Sequence, residues 1–347
     1  MLNEFHINSL DQRLSQAANQ IMTAIESGRD TITLYRYSIN EVRHIIEMIL
    51  YDHPEYYYCF LQFTKYEYFQ ENQHVVLNFR HLNCDEGAFD FEFDRVVKII
   101  ENKISNTTTD LEICKMVYDY LVENVKFDYD RVQEFLSINQ DNEQELARFI
   151  NEKAKIYTAY GAIVDKNCVC MGLAFAYKML LNHFHIEATV TNGDFVSIDT
   201  SGNELRIPHM INVVEINNKL MYVDVSKGHI SDDDMQMIRY DYFLVSNKII
   251  NKYFDGREMF DCVDDYNYLK NKGLYFKDLF ELQKYLTGYW YDMSSGEIRA
   301  YYDSDKVDDD YLTKVYQQII NRRCASSHEY IGVIVEDGFL NGLIKKR

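Results

Sequence analysis

Two cysteines separated by one residue, Cys168 and Cys170, stand at the start of a stretch with helical spacing, and His183 and His185 follow it. Thiolate and imidazole groups bind zinc, exchange disulfides and form nucleophilic catalytic pairs. Both cysteines could equally be small apolar residues of the core. The spacing of these residues and the elements around them separate the four interpretations.

The spacing argues against a zinc site. Structural zinc sites usually place about two to four residues between paired cysteines and about three to five between paired histidines. If Cys170 begins a helix, His183 lies about 20 Å away at a rise of about 1.5 Å per residue. We therefore expect no metal ion and no other cofactor. A redox pair usually has the spacing C-x-x-C, and nothing around these cysteines resembles a thioredoxin-like unit.

A nucleophilic cysteine fits the start of this helix better. A cysteine at the first helical position lies near unpaired backbone N–H groups and the positive end of the helix dipole, which stabilise a thiolate. Cys170 occupies this position, and the small residues Gly172 and Ala174 keep the first turn slim, so another chain's backbone could approach the sulfur. Cys168 would lie on the opposite side of the incoming segment. Burial in the core stays the simpler interpretation unless a partner base is found.

The sequence also predicts a hairpin that joins a histidine to a carboxylate. Residues 209–216 and 220–225 alternate as strands, and the Asn217–Asn218 pair between them readily adopts the positive φ angles of a type I′ turn. Counting outward from this turn makes His209 and Asp224 diagonal neighbours on one face, with Cα atoms about 7 to 8 Å apart. Without a preceding cysteine, an edge-strand histidine beside a surface aspartate would explain the pair equally well.

Length and composition limit the class of protein. The 347 residues, 47% of them hydrophobic, predict a globular chain with more than one domain. A formal net charge of −19 repels phosphate backbones and anionic lipids, so we expect no nucleic-acid or membrane partner. The cysteines are an odd, scattered set rather than a disulfide framework, and neither a leader-like N-terminus nor a membrane-length apolar window occurs. We expect a cytoplasmic protein, and the sequence leaves its oligomeric state open. The seven cysteines are Cys59, Cys84, Cys114, Cys168, Cys170, Cys262 and Cys324.

Periodicity predicts an α+β chain in three regions. Residues 1–105 are predicted to be α+β, residues 106–248 to form a core in which a helix precedes a β-meander, and residues 249–347 to form a small α/β appendage. Residues 131–155 carry dense charge and predict an exposed helical insertion without chemistry. Helices are predicted at 10–25 with Ser9 as N-cap, 39–50, 91–104, 113–125, 170–181, 278–287 and 308–322, strands at 31–35, 57–63, 75–79, 186–191, 209–216, 220–225, 298–302 and 330–335, and a turn at Asn192–Gly193.

The order of these motifs resembles the transglutaminase-like superfamily. The segments are YTAYGAIVDKNCVCMGLAFAYKMLL, HFHIEATVTNGD, PHMINVVEINNKLMYVDVS and YDYFLVSNK, within about residues 110–250. In that superfamily a helix starts at a Gly-Val-Cys-x-Gly-x-Ala-like motif, a histidine begins one strand and an aspartate ends the next. This chain departs from the pattern at Cys168, where the glycine usually stands, and at Ile211, where an aromatic residue is common.

The resemblance implies a papain/transglutaminase-like core in which a cysteine-bearing helix packs on an antiparallel β-meander. It implies that Cys170 is the nucleophile, His209 the base and Asp224 the residue that orients the imidazole. The implied reaction is acyl transfer from a peptide or protein amide through a thioester. Hydrolysis is favoured because water is always present, whereas an amine pocket must be built.

Three points stay open in the sequence. An amine acceptor would make the chain a crosslinking transglutaminase, and a retained fold without activity would make it a peptide-binding module. The intact cysteine, histidine and aspartate argue against the binding module. The backbone N–H of Cys170 would bind the tetrahedral oxyanion with one further donor, for which Tyr157, Tyr160 and Asn167 are candidates from position alone.

Overall fold

The structure is a computed structural model. It describes residues 2–59, 65–69, 73–138, 142–198, 202–229, 237–258, 260–263, 269–270, 272–292, 296–303, 308–323, 328–336 and 338–346. Cys324 lies outside these residues. None of the helices within them is long and apolar enough to span a membrane.

The chain forms two compact units. The first comprises Met1–Ser226 with Tyr253–Asp261, and the second comprises Lys227–Lys252 with Cys262–Arg347. The predicted boundary at residue 105 falls inside the first unit, and the boundary at residue 248 falls inside the first segment of the second. Both units combine helices with largely antiparallel sheets, so the chain is α+β.

The first unit begins with helices packed on a three-stranded antiparallel sheet of order β1-β3-β2. Their apolar faces meet in one core that includes the fully buried Ile21, Leu34, Ile45 and Val75. The elements are α1 (Phe5–Asn8), α2 (Gln12–Glu26), β1 (Thr31–Tyr35), α3 (Ile39–Asp52), β2 (Lys65–Phe69) and β3 (His74–Asn78).

Two local predictions in this part are wrong. Ser9 ends α1, so the N-cap of α2 is Asp11, whose side chain accepts a hydrogen bond from the backbone N–H of Leu14 at 2.8 Å. The segment predicted as strand 57–63 is preceded by a 3-10 turn at Pro54–Tyr56, and its described part, up to residue 59, forms no extended strand. Proline favours the start of such a turn because its φ angle is fixed. Residues 60–64 lie outside the described chain.

The middle of the first unit is mostly helical. A parallel pairing of β4 with β5 closes a loop around the predicted insertion, which consists of α6 and α7. A 3-10 turn at Ala154–Tyr157 and a π turn at Gly161–Asp165 connect α7 to β5. The elements are α4 (Glu86–Glu101), α5 (Asp110–Asn124), β4 (Lys126–Phe127), α6 (Tyr129–Ser137), α7 (Glu143–Glu152) and β5 (Asn167–Cys168).

A helix and four antiparallel strands complete the first unit. Within this unit the strand order is β10-β6-β7-β8. The predicted hairpin is confirmed, because Asn217 and Asn218 have φ angles of 52° and 60° and Ile216 pairs with Lys219. The elements are α8 (Cys170–His183), β6 (Ala188–Ile198), β7 (Glu204–Ile216), β8 (Lys219–Val223) and, after β9 (Phe243–Val245) and α9 (Asn247–Ile250) of the second unit, β10 (Phe254–Gly256).

The predicted turn at Asn192–Gly193 is wrong, because β6 continues straight through both residues. Gly193 pairs with His209 on one side and with Gly256 on the other. A Cβ atom added to Gly193 would lie 2.3 Å from the carbonyl oxygen of Asp255. The glycine therefore permits close approach of the neighbouring strand rather than a turn.

The second unit contains a sheet of order β11-β12-β14-β13 with two helices. Its core includes Leu282, Ile298, Leu312 and Leu340. The predicted helices and strands of this region are present, but β14 was not predicted, since a glycine inside a strand weakens the pattern. The elements are β11 (Tyr275–Phe276), α10 (Leu279–Asp292), β12 (Gly296–Tyr302), α11 (Asp309–Arg323), β13 (His328–Glu336) and β14 (Phe339–Lys346).

Candidate active site

Cys170 is the first residue of α8, as the sequence predicts. The preceding residue, Val169, provides no side-chain cap, so the backbone N–H groups of the first turn have no side-chain acceptor. The backbone N–H of Val169 donates to the carbonyl of Ile156 at 3.1 Å, which fixes the strand that leads into the helix. The side chain of Cys170 is half-buried and lines a cavity. The helix start therefore presents the sulfur to an open space.

The neighbouring Cys168 is a core residue. Its side chain is fully buried. Burial, together with the nearby charges of Cys170 and Asp128, raises the pKa of the Cys168 thiol well above its usual range. A thiol held in the neutral form is a poor nucleophile. The two cysteines thus differ in exposure and chemistry, although only one residue separates them.

Gly172 has a different role from the one the sequence suggested. A Cβ atom at this position would lie 2.7 Å from the Cβ atom of Cys168 and 2.8 Å from the carbonyl oxygen of Ile156. The backbone that approaches Gly172 is thus the 3-10 turn of this same chain. Gly172 allows that turn to pack against the start of α8.

His209 and Asp224 come together beside β7. Nε2 of His209 lies 2.7 Å from Oδ2 of Asp224, and their side chains are 9% and 1% exposed. Counting residue by residue outward from the turn would place His209 opposite Ser226 and Ile211 opposite Asp224. Neither pairing is made, because the ladder between β7 and β8 ends where Asn212 pairs with Val223. The chain then curls into a 3-10 turn. The contact between His209 and Asp224 forms from the end of the strand rather than from within the ladder.

Asp224 is surrounded by hydrogen-bond donors. Its Oδ1 accepts from the backbone N–H of Ser226 at 3.0 Å and from the Ser226 hydroxyl at 2.6 Å. Its Oδ2 accepts from the Tyr253 hydroxyl at 2.9 Å in addition to His209. These donors stabilise the charged carboxylate in a buried position. Sequence reasoning missed Tyr253, because the segment that carries it reaches the site only through the pairing of β10 with β6.

The ionisation of His209 follows from its two partners. Burial lowers the pKa of His209, but the charges of Asp224 and Cys170, and hydrogen bonds to both, raise it to about 10. Since Nε2 contacts Asp224, Nδ1 is the ring nitrogen left for the sulfur. At neutral pH the ring is therefore an imidazolium between a carboxylate and the sulfur of Cys170. This arrangement stabilises a thiolate.

The three candidate oxyanion donors lie in different places. Tyr157 is half-buried and lines the cavity with Cys170. Burial raises the pKa of Tyr157, a hydrogen bond from Arg131 lowers it, and the charge of Cys170 raises it further. The Tyr157 hydroxyl therefore stays protonated and can donate a hydrogen bond.

Tyr160 and Asn167 are not part of the cavity lining. Tyr160 is buried, and the centroid of its ring lies 5.8 Å from the centroid of the Tyr57 ring. The Tyr160 hydroxyl accepts a hydrogen bond from the backbone N–H of Asp85 at 3.4 Å. The side-chain amide of Asn167 donates to Asp128 at 3.2 Å. Both side chains are engaged in local structure.

The cavity has a volume of about 1400 Å³ and lies within the first unit. The N-terminal part contributes one side of α3 and the end of β3, and β6 and β7 contribute the residues around His209. The insertion contributes apolar side chains, which we call the helical wall. Its residues are Val132 and Phe135 of α6 and Leu146, Ala147 and Ile150 of α7. The sequence interpretation, which assigned no chemistry to residues 131–155, missed this contribution.

The length of α8 separates Cys170 from His183, two of the four residues in the array that resembled a zinc site. Cys170 and His183 are the first and last residues of the helix, and the His183 ring contacts Phe93. Within the described residues, no three cysteine, histidine or carboxylate side chains form a group that could hold a metal ion.

The chain is similar to several solved structures. One is described as a "TGase", with 12% identity, a TM-score of 0.34, and coverage of 62% of this chain and 58% of the other. A "Putative Cysteine Protease" from Cytophaga hutchinsonii has 12% identity, a TM-score of 0.25, and coverage of 47% and 61%. A "putative protease" from Parabacteroides distasonis has 9% identity, a TM-score of 0.21, and coverage of 46% and 33%.

In each case the chain spans less than two thirds of the other protein's length. No family model matches the sequence, and no curated protein matches it.

Proposed function

We propose that the chain is a cysteine-dependent enzyme of the transglutaminase-like type that cleaves peptide or protein amides through a thioester. The observation that supports this most directly is the position of His209, which contacts Asp224 at 2.7 Å and lies near enough to the half-buried Cys170, beside a large cavity, for the sulfur to raise its pKa. A nucleophile, a base and a group that orients the base are the parts that covalent acyl transfer requires.

In the first step the thiolate of Cys170 attacks the amide carbonyl carbon, and a carbon–sulfur bond forms. The backbone N–H of Cys170 and the Tyr157 hydroxyl donate to the oxyanion that develops. The imidazolium of His209 then gives its proton to the amide nitrogen as the carbon–nitrogen bond breaks. An amine leaves, and a thioester and a neutral imidazole remain.

In the second step a water molecule attacks the thioester carbon while His209 accepts its proton. The carbon–sulfur bond breaks, the acid product leaves and the thiolate–imidazolium pair is restored. Asp224 keeps the ring oriented in both steps through its contact with Nε2. If an amine replaces the water, the same thioester yields a new amide, which is the transglutaminase outcome.

The nucleophile is tested by alkylation with iodoacetamide near pH 6, comparing the wild type with Cys170→Ala and Cys168→Ala. We expect fast single labelling of the wild type and of Cys168→Ala, because Cys168 is buried with a raised pKa. Cys170→Ala should label only slowly. Equally slow labelling of all three proteins would contradict the enzymatic proposal and favour a peptide-binding module.

The reaction is tested by mass spectrometry of the intact protein after mixing with a peptide library. An acyl adduct on Cys170 that hydroxylamine removes identifies the thioester. Products that carry only a new carboxylate support hydrolysis, whereas incorporation of an added primary amine such as dansylcadaverine supports transfer. The absence of any adduct under rapid quenching would contradict the covalent route.

A further inference from the structure

The lining of the cavity has the opposite charge from the chain as a whole. The chain carries a formal net charge of −19. Among the described residues that line the cavity, however, there are four arginines and a single carboxylate, Glu47. A patch of one sign inside a surface of the other sign concentrates ligands of complementary charge.

Two of these arginines already have acidic partners. Nη1 of Arg257 lies 3.4 Å from Oε1 of Glu47, and Nη1 of Arg131 lies 2.7 Å from Oε2 of Glu134. Arg131 is also 3% exposed, and its Nε has no hydrogen-bond acceptor in the described chain. The charges of these two arginines are therefore already partly balanced within the chain.

The other two arginines, Arg43 and Arg80, have no carboxylate partner in the part of the chain that the structure describes. Arg43 is exposed on α3 and lies 5.5 Å above the ring of Tyr66, which also lines the cavity. Arg80 is half-buried just after β3. A guanidinium binds a carboxylate through two parallel hydrogen bonds, so each of the two can bind one acidic side chain.

The helical wall offers a second kind of contact. Its five side chains are all apolar, and they line the same cavity as Cys170. A volume of about 1400 Å³ exceeds the roughly 300 to 1,000 Å³ of pockets that hold a single small molecule. Several residues of an extended peptide would fit.

We propose that the cavity selects acidic peptides, with carboxylate side chains bound to Arg43 and Arg80 and a large apolar side chain against the helical wall. This inference rests on the proposed function, since it names the substrate class of the same site. The net negative charge of the chain repels acidic peptides at long range. The preference therefore depends on Arg43 and Arg80 rather than on the electrostatic field of the whole protein.

Binding is measured by fluorescence anisotropy with Cys170→Ala protein, which separates recognition from turnover. The probes are three fluorescein-labelled hexapeptides with the core Phe-Gln, flanked on each side by two Glu, two Gln or two Lys. The Glu peptide should bind about 4- to 25-fold more tightly than the Gln peptide, at about two- to fivefold per arginine. The Lys peptide should bind more weakly than both. Exchange of the core Phe for Ala should weaken binding about tenfold.

The double substitution Arg43→Glu with Arg80→Glu should reverse the order, so that the Lys peptide binds most tightly. The matched control is Arg29→Glu, an exposed arginine outside the lining, which should leave the order unchanged. If the double variant fails to fold by circular dichroism, Arg43→Gln with Arg80→Gln should abolish the preference instead.

The two proposals fail in different ways. No preference for the Glu peptide, or a preference that survives the double substitution, overturns the inference, while fast alkylation of Cys170 in the wild type leaves the proposed function standing. A clear acidic preference with an unreactive Cys170 overturns the enzymatic proposal and keeps the cavity as an acidic-peptide site.

Discussion

Helix α8 carries two residues, Cys170 and Lys178, whose polar partners lie on other elements, and the two pairs differ in what surrounds them. At its first residue, Cys170 faces a cavity and interacts electrostatically with His209. Eight residues later, Lys178 reaches Asp52 of α3 at 3.5 Å, and both of these side chains have no exposed surface. The lysine ammonium also donates to the backbone carbonyls of Tyr51 at 2.7 Å and Asn3 at 3.1 Å.

The balance between burial and partner charge differs at the two pairs. Burial lowers the pKa of Lys178 to about 8 and raises the pKa of Asp52. At this pair of Lys178 with Asp52, which we call the closed pair, the cost of burying the two charges outweighs their mutual attraction. At His209 the partner charges outweigh burial and raise the pKa to about 10. The closed pair joins the N-terminal part to α8, whereas the pair of Cys170 with His209, which we call the open pair, faces the cavity.

The contrast between the two pairs is tested most strongly by removing the charge of Asp224. We expect Asp224→Asn to lower kcat/KM about 10⁴-fold, because an asparagine neither stabilises the imidazolium nor fixes the ring. The alkaline limb of the wild-type profile should begin as the pH rises through about 10, where His209 loses its proton, and the variant should lose activity at lower pH. The measurement is kcat/KM against pH with a peptide cleaved by the wild type. A loss of less than tenfold would contradict the role of Asp224.

The same raised pKa predicts the direction of a stability effect. Because the folded value of His209 lies above the ordinary value of 6.5, its contribution to stability is complete below about pH 6.5 and is lost as the pH rises through about 10. Urea unfolding across this range should show the loss in the wild type. Asp224→Asn should reduce the dependence.

At the closed pair we expect Lys178→Met to lower the free energy of unfolding by about 3 to 5 kcal/mol, because it leaves Asp52 buried without a counter-charge. Urea denaturation measures this loss. The rate of Cys170 alkylation in the folded protein should stay within about twofold of the wild type. A large drop in alkylation without a loss of stability would contradict the assignment of this pair as structural.

The matched control is the double variant Lys178→Met with Asp52→Asn. Asparagine keeps an acceptor for the backbone N–H of Ile7, which donates to Asp52 at 2.7 Å. Since neither partner is then charged, the double variant should recover most of the lost free energy. The two single effects should therefore be far from additive.

The smallest expected effect concerns Tyr253. Tyr253→Phe removes one of the donors to Asp224, and we expect kcat/KM to fall about fivefold, in line with the roughly 1 kcal/mol of one hydrogen bond. As a positioning residue, Tyr253 should change kcat and the alkaline limb of the pH profile more than KM. Tyr311→Phe, at an exposed tyrosine of the second unit, is the control and should change neither. An unchanged pH profile in Tyr253→Phe would limit the tyrosine to packing.

Local patterns made part of the site predictable. The helix start at Cys170 and the hairpin turn at Asn217–Asn218 are set by neighbouring residues, so both were found in the sequence. The pairing of His209 with Ser226 was wrong because Ser226 instead donates to Asp224 and ends the strand. Counting along a ladder fails where a side chain competes for the backbone.

The remaining parts of the site depend on contacts between distant segments. Tyr253 lies 29 residues after Asp224 in the chain, and no pattern in its segment indicates that its hydroxyl contacts that carboxylate. The insertion looked like an exposed helix because its charges dominate the sequence, while its apolar side chains line the cavity. Only the tertiary arrangement shows which face of such a helix is used.

Gly193 imposes a constraint on the evolution of this site. Any side chain there would push the backbone at Asp255 away, and the same short segment holds Tyr253 against Asp224. Gly193 has no functional side chain, yet the space that it leaves determines whether Tyr253 can donate to Asp224. Among descendants of this sequence, glycine at 193 and tyrosine at 253 should be kept or lost together.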